Sequence, residues 1–369
     1  MIRRGGRRIS PLEAVIFTAA STFAAGIFVM PRVLIADAGR AGGLALLFAC
    51  ALAVLWAALI SHYASRLPDR ALGRYFLQKL PFLAYPWLVV VVAFEILITY
   101  GALAAYQDMT TAVAMPGFPG LSITIVLALG AWTGARHRLE GLARSVLVFF
   151  GSFTTLAVIS FLLLLMRGSE LAAVLPGPHL AIAPIVRADA DSLFLFAGFD
   201  AVALVLPYQV ASRRGLPHVA VGGILSGALL LLAYVVTVGM VGPNYVLTQT
   251  WPVVSALRTL VLHSFFLDRF GLVVIFAWSA ILISYVAIHL WAAGEAICQM
   301  TGSERGRGWW TLGFTALIML VSGYAGGGPV QEEAVARGVI SPATLFILVG
   351  WLSAAVGLAL LARRDPVPQ

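Results

Sequence analysis

Charge is scarce in this chain. Asp, Glu, Lys and Arg make up 11% of its 369 residues, against 61% apolar residues and a mean hydropathy of +0.96. A soluble globular domain carries about 25% charged residues, so that class is excluded. Cysteine is nearly absent. Cys50 and Cys298 are the only two, both inside apolar runs, which leaves no disulfide framework and no thiolate metal site. Lysine occurs once, at Lys79, and the other basic residues are arginine. Asp, Glu and His are too dispersed to propose a metal centre, and there is no glycine-rich phosphate loop and no hydrolase elbow. No metal, cofactor or enzymatic activity is therefore expected. Short alternating strands are also missing, which argues against a β-barrel.

What the chain has instead is apolar segments of about 20 residues, the length a helix needs to cross the hydrocarbon of a bilayer. Breaks at charged and Pro/Gly-rich stretches predict an all-α membrane protein of about ten spans, near 11–36, 42–65, 82–113, 121–135, 144–166, 192–212, 217–241, 270–300, 309–324 and 342–362. The third and eighth are long enough to tilt, and the fourth and ninth are short. With a cytoplasmic N-terminus, most of the 24 Lys and Arg fall on the inside, including Arg3, Arg4, Arg7, Arg8, Arg213, Arg214, Arg305, Arg307, Arg363 and Arg364. The positive-inside rule thus places both termini in the cytoplasm, with 168–189 and 242–268 outside. On this reading the net charge of +8 records topology and carries no nucleic-acid signal. The basic stretch before the first apolar run resembles a secretory signal, but the run continues for a full span without a cleavage site and is read as a retained helix.

An ionisable group inside such a span marks function by default, because a carboxylate at the bilayer centre costs roughly 2.5–3.5 kcal/mol on insertion scales. Phe196-Ala197-Gly198-Phe199-Asp200 puts one beside a glycine in the sixth span, and Ala24-Ala25-Gly26-Ile27-Phe28 puts a glycine at the centre of the first. Ten spans divide into two sets of five, about 11–166 and 192–362, within a single transmembrane domain. An odd number of crossings per set gives the halves opposite orientation, so a duplication would be an inverted repeat whose first helices are both interrupted. The alternative is that these glycines serve close helix packing.

Other polar residues fall within the spans. Glu95 and Tyr100 lie on the third helix, where either could line a cavity opposite the breaks. On the eighth, Tyr285 and His289 are four apart and share a face, with Ser284 beside them. His289 is a candidate proton relay that could meet Glu95 or Asp200; the competing reading is a histidine bonded to a neighbouring helix. Asp108 reads as solvated, Glu295 as paired with a basic loop, and Ser10-Pro11-Leu12-Glu13 as a helix cap with a capping-box Glu. In the outer segment, Val253, Val254, Leu257, Leu260 and Val261 suggest an amphipathic helix lying on the membrane or capping the pocket, or else a surface connector.

Gly26-Ile27-Phe28 with Pro31, and Phe196-Ala197-Gly198-Phe199-Asp200-Ala201-Val202, resemble the broken first and sixth helices of the amino acid, polyamine and organocation transporter superfamily. Within it the chain resembles the spore germination permease, the integral-membrane B subunit of nutrient germinant receptors. Ile9-Ser10-Pro11, Leu206-Pro207, Trp251-Pro252, Arg258 and Phe266-Leu267-Asp268-Arg269-Phe270 add to that likeness, which spans essentially the whole chain. The resemblance implies two inverted five-helix repeats and a pocket between the unwound parts of helices 1 and 6, with helices 3 and 8 around it. It implies an amino-acid-like nutrient as ligand, contacted by Ala25, Gly26, Ile27, Phe28, Glu95, Tyr100, Gly198, Phe199, Asp200 and Tyr285. Asp200, Glu95, Ser284 and His289 are the candidates for ion or proton coupling. It further implies a sensing role in the inner membrane of the spore, with two other receptor subunits as partners. The alternative is a proton- or cation-coupled secondary amino acid transporter. Many members of that family carry Glu where Asp200 stands, one methylene longer.

Overall fold

The computed structural model describes residues 8–23, 25–168, 170–177, 180–209, 216–260, 270–324 and 328–362. Arg3, Arg4, Arg7, Arg213, Arg214, Arg363, Arg364, Val261 and the Phe266 to Arg269 stretch lie outside the described residues. The described chain is helical, and its only strand-like pairing is one bridge between Ile9 and Gln209.

The first half opens with α1 (Pro11–Ala20), a 3-10 turn at Ala25–Phe28, α2 (Met30–Ala38) and α3 (Gly42–Ala64). It continues through α4 (Leu72–Lys79), α5 (Pro81–Val113), α6 (Gly120–Ala135) and α7 (Leu139–Met166). The second half holds α8 (Ile182–Asp191), a 3-10 stretch at Leu193–Asp200, α9 (Ala201–Val205) and α10 (His218–Val241). Then come α11 (Pro243–Thr248), α12 (Pro252–Arg258), α13 (Phe270–Thr301), α14 (Arg307–Tyr324), α15 (Gly328–Val335), a π-turn at Ala336–Ile340 and α16 (Ser341–Ala362).

Six of the described helical runs are long and apolar enough to cross a membrane, and the bent pair Ile182–Asp191 and Leu193–Tyr208 makes a seventh. α1 and α6 are shorter apolar helices. At 33 and 32 residues, α5 and α13 would extend about 50 Å, well beyond a hydrocarbon core of about 30 Å, so they must tilt or protrude. They cross against each other, and α13 also lies along α6 and α7. α1 sits inside this frame against α7 and α10.

Local chemistry explains where α1 starts. Ser10 Oγ accepts from the Glu13 amide at 3.2 Å, and the Ser10 amide donates to Glu13 Oε2 at 2.6 Å, with Pro11 at the first helical position. Its end is one of two interruptions. The other is a 47° bend between α8 and the segment that follows, where the chain winds as a 3-10 helix instead of opening into coil. This second broken helix begins at Ile182, inside the stretch that low hydropathy suggested was loop. Asp191, at the end of α8, takes a hydrogen bond from Arg337 at 2.7 Å.

The apolar stripe at 253–260 faces inward. Val253, Val254, Leu257 and Leu260 are buried, and α12 packs on α10, α13 and the 3-10 turn after α1. Its apolar face is thus spent on packing against the bundle.

Candidate functional site

The two interruptions meet beside α5 and α13, and a cavity of about 140 Å³ lies there. That is about an order of magnitude more than the roughly 10–15 Å³ one water requires. Thr22, Gly26 and Val29 line it from the first break, Phe194, Leu195 and Ala197 from the second, and Ile98 and Ala102 from α5. Tyr285 contributes from α13, while Tyr100, Ala105, Trp251, Glu332 and Ala336 surround the part that runs toward α12 and α15. The wall is mainly small and apolar with a few polar groups, the usual make-up of a small-molecule site.

Next to the cavity sits a dry polar cluster. Glu95 on α5, Asp200 at the end of the 3-10 stretch and His289 on α13 are each 0% exposed. His289 Nδ1 is 2.6 Å from Glu95 Oε2, and Nε2 is 3.0 Å from the backbone carbonyl of Ser21. That carbonyl belongs to the last turn of α1, whose end leaves acceptors without partners in the helix. Thr22 Oγ1 bonds back to the Ala19 carbonyl at 3.1 Å and meets Ser226 Oγ of α10 at 2.6 Å. The Asp200 and Glu95 carboxyls face each other within interacting distance. No described donor completes a hydrogen bond to either Asp200 oxygen or to Glu95 Oε1. The Tyr285 ring packs on the His289 ring, centroids 4.2 Å apart. Among the described residues, no group of three His, Cys, Asp or Glu side chains is arranged to hold a metal ion.

The structure therefore brings Glu95, Asp200, Tyr285 and His289 together, with Gly26 and Tyr100 on the cavity wall. Other predicted residues lie elsewhere. Gly198 does not line the cavity: a Cβ there would stand 1.7 Å from the Ser21 carbonyl oxygen and 2.6 Å from the His289 ring. Its missing side chain makes room for the contact between α1 and α13. Ile27 and Phe28 are buried, and Phe28 packs on Trp278 with ring centroids 5.1 Å apart. Phe199 is buried between Trp56 and Phe196. The backbone of Ala25 runs in the 3-10 turn that forms the first break. The Ser284 hydroxyl donates to the Ala280 carbonyl of its own helix at 2.9 Å, away from the cluster.

Ion pairs frame the site on both sides. Toward α15, Arg32 pairs with Glu333, and Arg337 bonds Asp37 and Asp191, both at 2.7 Å. Asp108, read from sequence as solvated, faces Glu332. At the opposite side, Glu295 accepts from Arg307 at 2.5 Å, Tyr208 at 2.9 Å and Gln299 at 3.1 Å. The Ile9 amide donates to the Tyr208 carbonyl there at 2.9 Å, tying the start of the chain to the end of the second broken helix. Sequence reasoning missed the Ser21 carbonyl, the small residues Ala102 and Ala197, and the charged run Glu332, Glu333 and Arg337. Of these only the last carried a signal, three charges in an otherwise apolar stretch.

The fold is shared with solved transporters. MhsT in complex with L-phenylalanine superposes with a TM-score of 0.67 at 17% identity, over 98% of this chain and 94% of that one. A substrate-bound, outward-open Na+-coupled sialic acid symporter superposes with a TM-score of 0.56 at 13% identity, over 98% and 77%. No curated protein matches the sequence. The family model described as spore germination protein matches residues 8–326, and on that coverage this chain belongs to the spore germination protein family.

Proposed function

We propose that the protein is the nutrient-sensing permease subunit of a germinant receptor, and that an amino-acid-like nutrient binds in the cavity between the two helix breaks. The observation that carries this reading is that cavity, walled by both interruptions at once. A ligand there touches Gly26 and Ala197, so its binding bears on the relative position of two elements that are hinged by construction. The chemistry suits a zwitterion. α2 points its N-terminal end at the cavity through Val29, and such an end favours a carboxylate. Glu332, at the far part of the wall, favours an ammonium. One solved neighbour holds L-phenylalanine and the other is a symporter, which supports a small nutrient as ligand.

The fuller reading has ten spans in two inverted halves, residues 11–166 and 192–362, with both termini in the cytoplasm. Its place is the inner membrane of the spore, beside two further receptor subunits. A coupled amino acid transporter using the same pocket is the second reading, favoured by the buried Glu95, Asp200 and His289 next to the cavity.

The test is a panel of free amino acids against the purified protein, read as a shift in thermal unfolding. A ligand at 100 times its Kd stabilises by about 2.7 kcal/mol. Ala102→Phe fills the cavity from α5 and should abolish the shift while the protein still folds. A nutrient that stabilises wild type and Ala102→Phe equally would place binding elsewhere. Counterflow in liposomes separates the two readings: a sensor shows none, a transporter accumulates label.

A further inference from the structure

We propose that Glu95, His289 and Asp200 form a two-proton site that latches the break in helix 1 through the carbonyl of Ser21. The inference holds whether the nutrient is carried or only sensed.

The hydrogen-bond directions require the first proton. A backbone carbonyl accepts only, so the 3.0 Å contact from Ser21 O to His289 Nε2 needs the hydrogen on Nε2. In a ring protonated there, Nδ1 is an acceptor unless the ring carries a second proton. Glu95 Oε2 lies 2.6 Å from Nδ1, and a bare carboxylate also only accepts. Two acceptors do not close to that distance in a fully buried site, so one proton lies between Nδ1 and Oε2, whichever atom holds it.

The second proton follows from the other side of Glu95. Its Oε1 and both oxygens of Asp200 receive no described donor, although the carboxyls face each other at 0% exposure. Two facing dry carboxyls are tolerated when they share a proton. The titratable groups that face the cluster are its own three and Tyr285, which lines the cavity. Of the other titratable groups on these helices, Glu13 lies in the cap of α1, Glu295 and Cys298 beside Arg307, Asp108 and Tyr100 beside Glu332, and Tyr106 meets Ser279. No arginine or lysine among the described residues is paired with Glu95 or Asp200 that would supply charge in place of the protons.

Removing the shared proton has a structural consequence. A neutral ring has one N–H. If it turns to Glu95, Nε2 presents a lone pair to the Ser21 carbonyl; if it stays on Ser21, Nδ1 presents a lone pair to a carboxylate. In the first case the contact of α1 with α13 becomes repulsive, and in the second the contact of α13 with α5 that positions the ring beneath Ser21. Gly198 leaves the end of α1 no slack there. Protonation therefore favours the closed arrangement of the break, and proton loss favours its release. The proton leaves by way of the cavity, whose wall residue Tyr285 packs its ring on that of His289.

The test uses purified full-length protein in lipid nanodiscs and two measurements. Infrared titration from about pH 5 to pH 9 reads protonated carboxyl groups, and thermal unfolding over the same range reads the latch. The expected result is a protonated-carboxyl band that Asp200→Asn weakens, since it removes the proton shared between the two carboxyls. Wild-type stability should fall as pH rises, with the latched-to-released ratio changing by up to tenfold per pH unit for each proton released. Glu95→Gln keeps an N–H donor toward Nδ1 at every pH, so its stability should lose one proton's share of the wild-type slope and keep only that of Asp200. The proposal is overturned if wild type shows no such band, or if Glu95→Gln keeps the wild-type slope. It is equally overturned if NaCl, compared with choline chloride, restores high-pH stability, since a metal cation would then occupy the site. If Glu95→Gln fails to fold, the wild-type band and its weakening in Asp200→Asn decide alone.

Discussion

One methyl group at residue 198 tests whether the contact between α1 and α13 is the rigid point of this fold. A Cβ on Gly198 would sit 1.7 Å from the Ser21 carbonyl oxygen and 2.6 Å from His289 Cε1 and Nε2, where ordinary contact begins at 3.4 Å. The first obstacle is backbone, and the second is a ring fixed by hydrogen bonds at both nitrogens, so neither can swing aside. Overpacking a core costs about 1–3 kcal/mol, and losing the His289 to Ser21 bond adds about 0.5–1.5 kcal/mol. Gly198→Ala should therefore lose about 1.5–4.5 kcal/mol. The comparison is Gly26→Ala. There the nearest atoms are the Phe194 ring at 2.9 Å and Leu195 Cδ2 at 3.3 Å, both side-chain atoms that can rotate toward the cavity. Its cost should stay below about 1 kcal/mol, within the range of tolerated swaps. Chemical unfolding of both variants in mild detergent gives the answer. A Gly198→Ala protein within about 0.5 kcal/mol of wild type, the scatter of harmless substitutions, would refute the reasoning.

Three further outcomes follow from the same geometry. Gly26→Leu should fold but lose nutrient-dependent stabilisation, because the larger side chain drives Phe194 into the cavity; retained stabilisation would show that the first break is not part of the binding wall. Arg307→Met strands Glu295 inside the bundle and should cost about 3–5 kcal/mol in unfolding experiments, with much of it recovered when Glu295→Gln is added; an equally unstable double variant would contradict the pairing. Leu175→Cys and Ser303→Cys should react oppositely with an impermeant thiol reagent applied outside sealed vesicles, only the first being modified. Reversed labelling would overturn the charge-based orientation.

Much of this was legible in the sequence where the signal is local. The third span, read as 82–113, is the helix Pro81–Val113, because a long apolar run bounded by Pro81 and the Pro116-Gly117 turn leaves little choice. The cap at Ser10 and Glu13 was readable because its partners are three residues apart. Tyr285 and His289 share a face because helical spacing fixes it. What lay beyond reach depended on long-range placement. Gly198 was marked as important, but its neighbours Ser21 and His289 come from distant helices, and no pattern shows whether a glycine makes room for ligand or for a carbonyl. α8 was hidden because Arg187, Asp189 and Asp191 lower its hydropathy, while the Arg337 that binds Asp191 stands 146 residues away. The pair of Glu295 with Arg307 was half visible, since a basic loop was expected but its arginine was not singled out.

Whether the nutrient occupies the cavity between the breaks is measured most directly by protection of a cysteine in its wall. With Ala102→Cys on α5, and native Cys50 and Cys298 left buried, alkylation by a small thiol reagent is followed with and without the amino acid that stabilises wild type. Occupancy of the cavity should slow the reaction in step with the fraction of protein bound, while Leu175→Cys on the outer segment reacts at an unchanged rate. Undiminished labelling of Ala102→Cys at nutrient concentrations that still stabilise that variant would contradict the account.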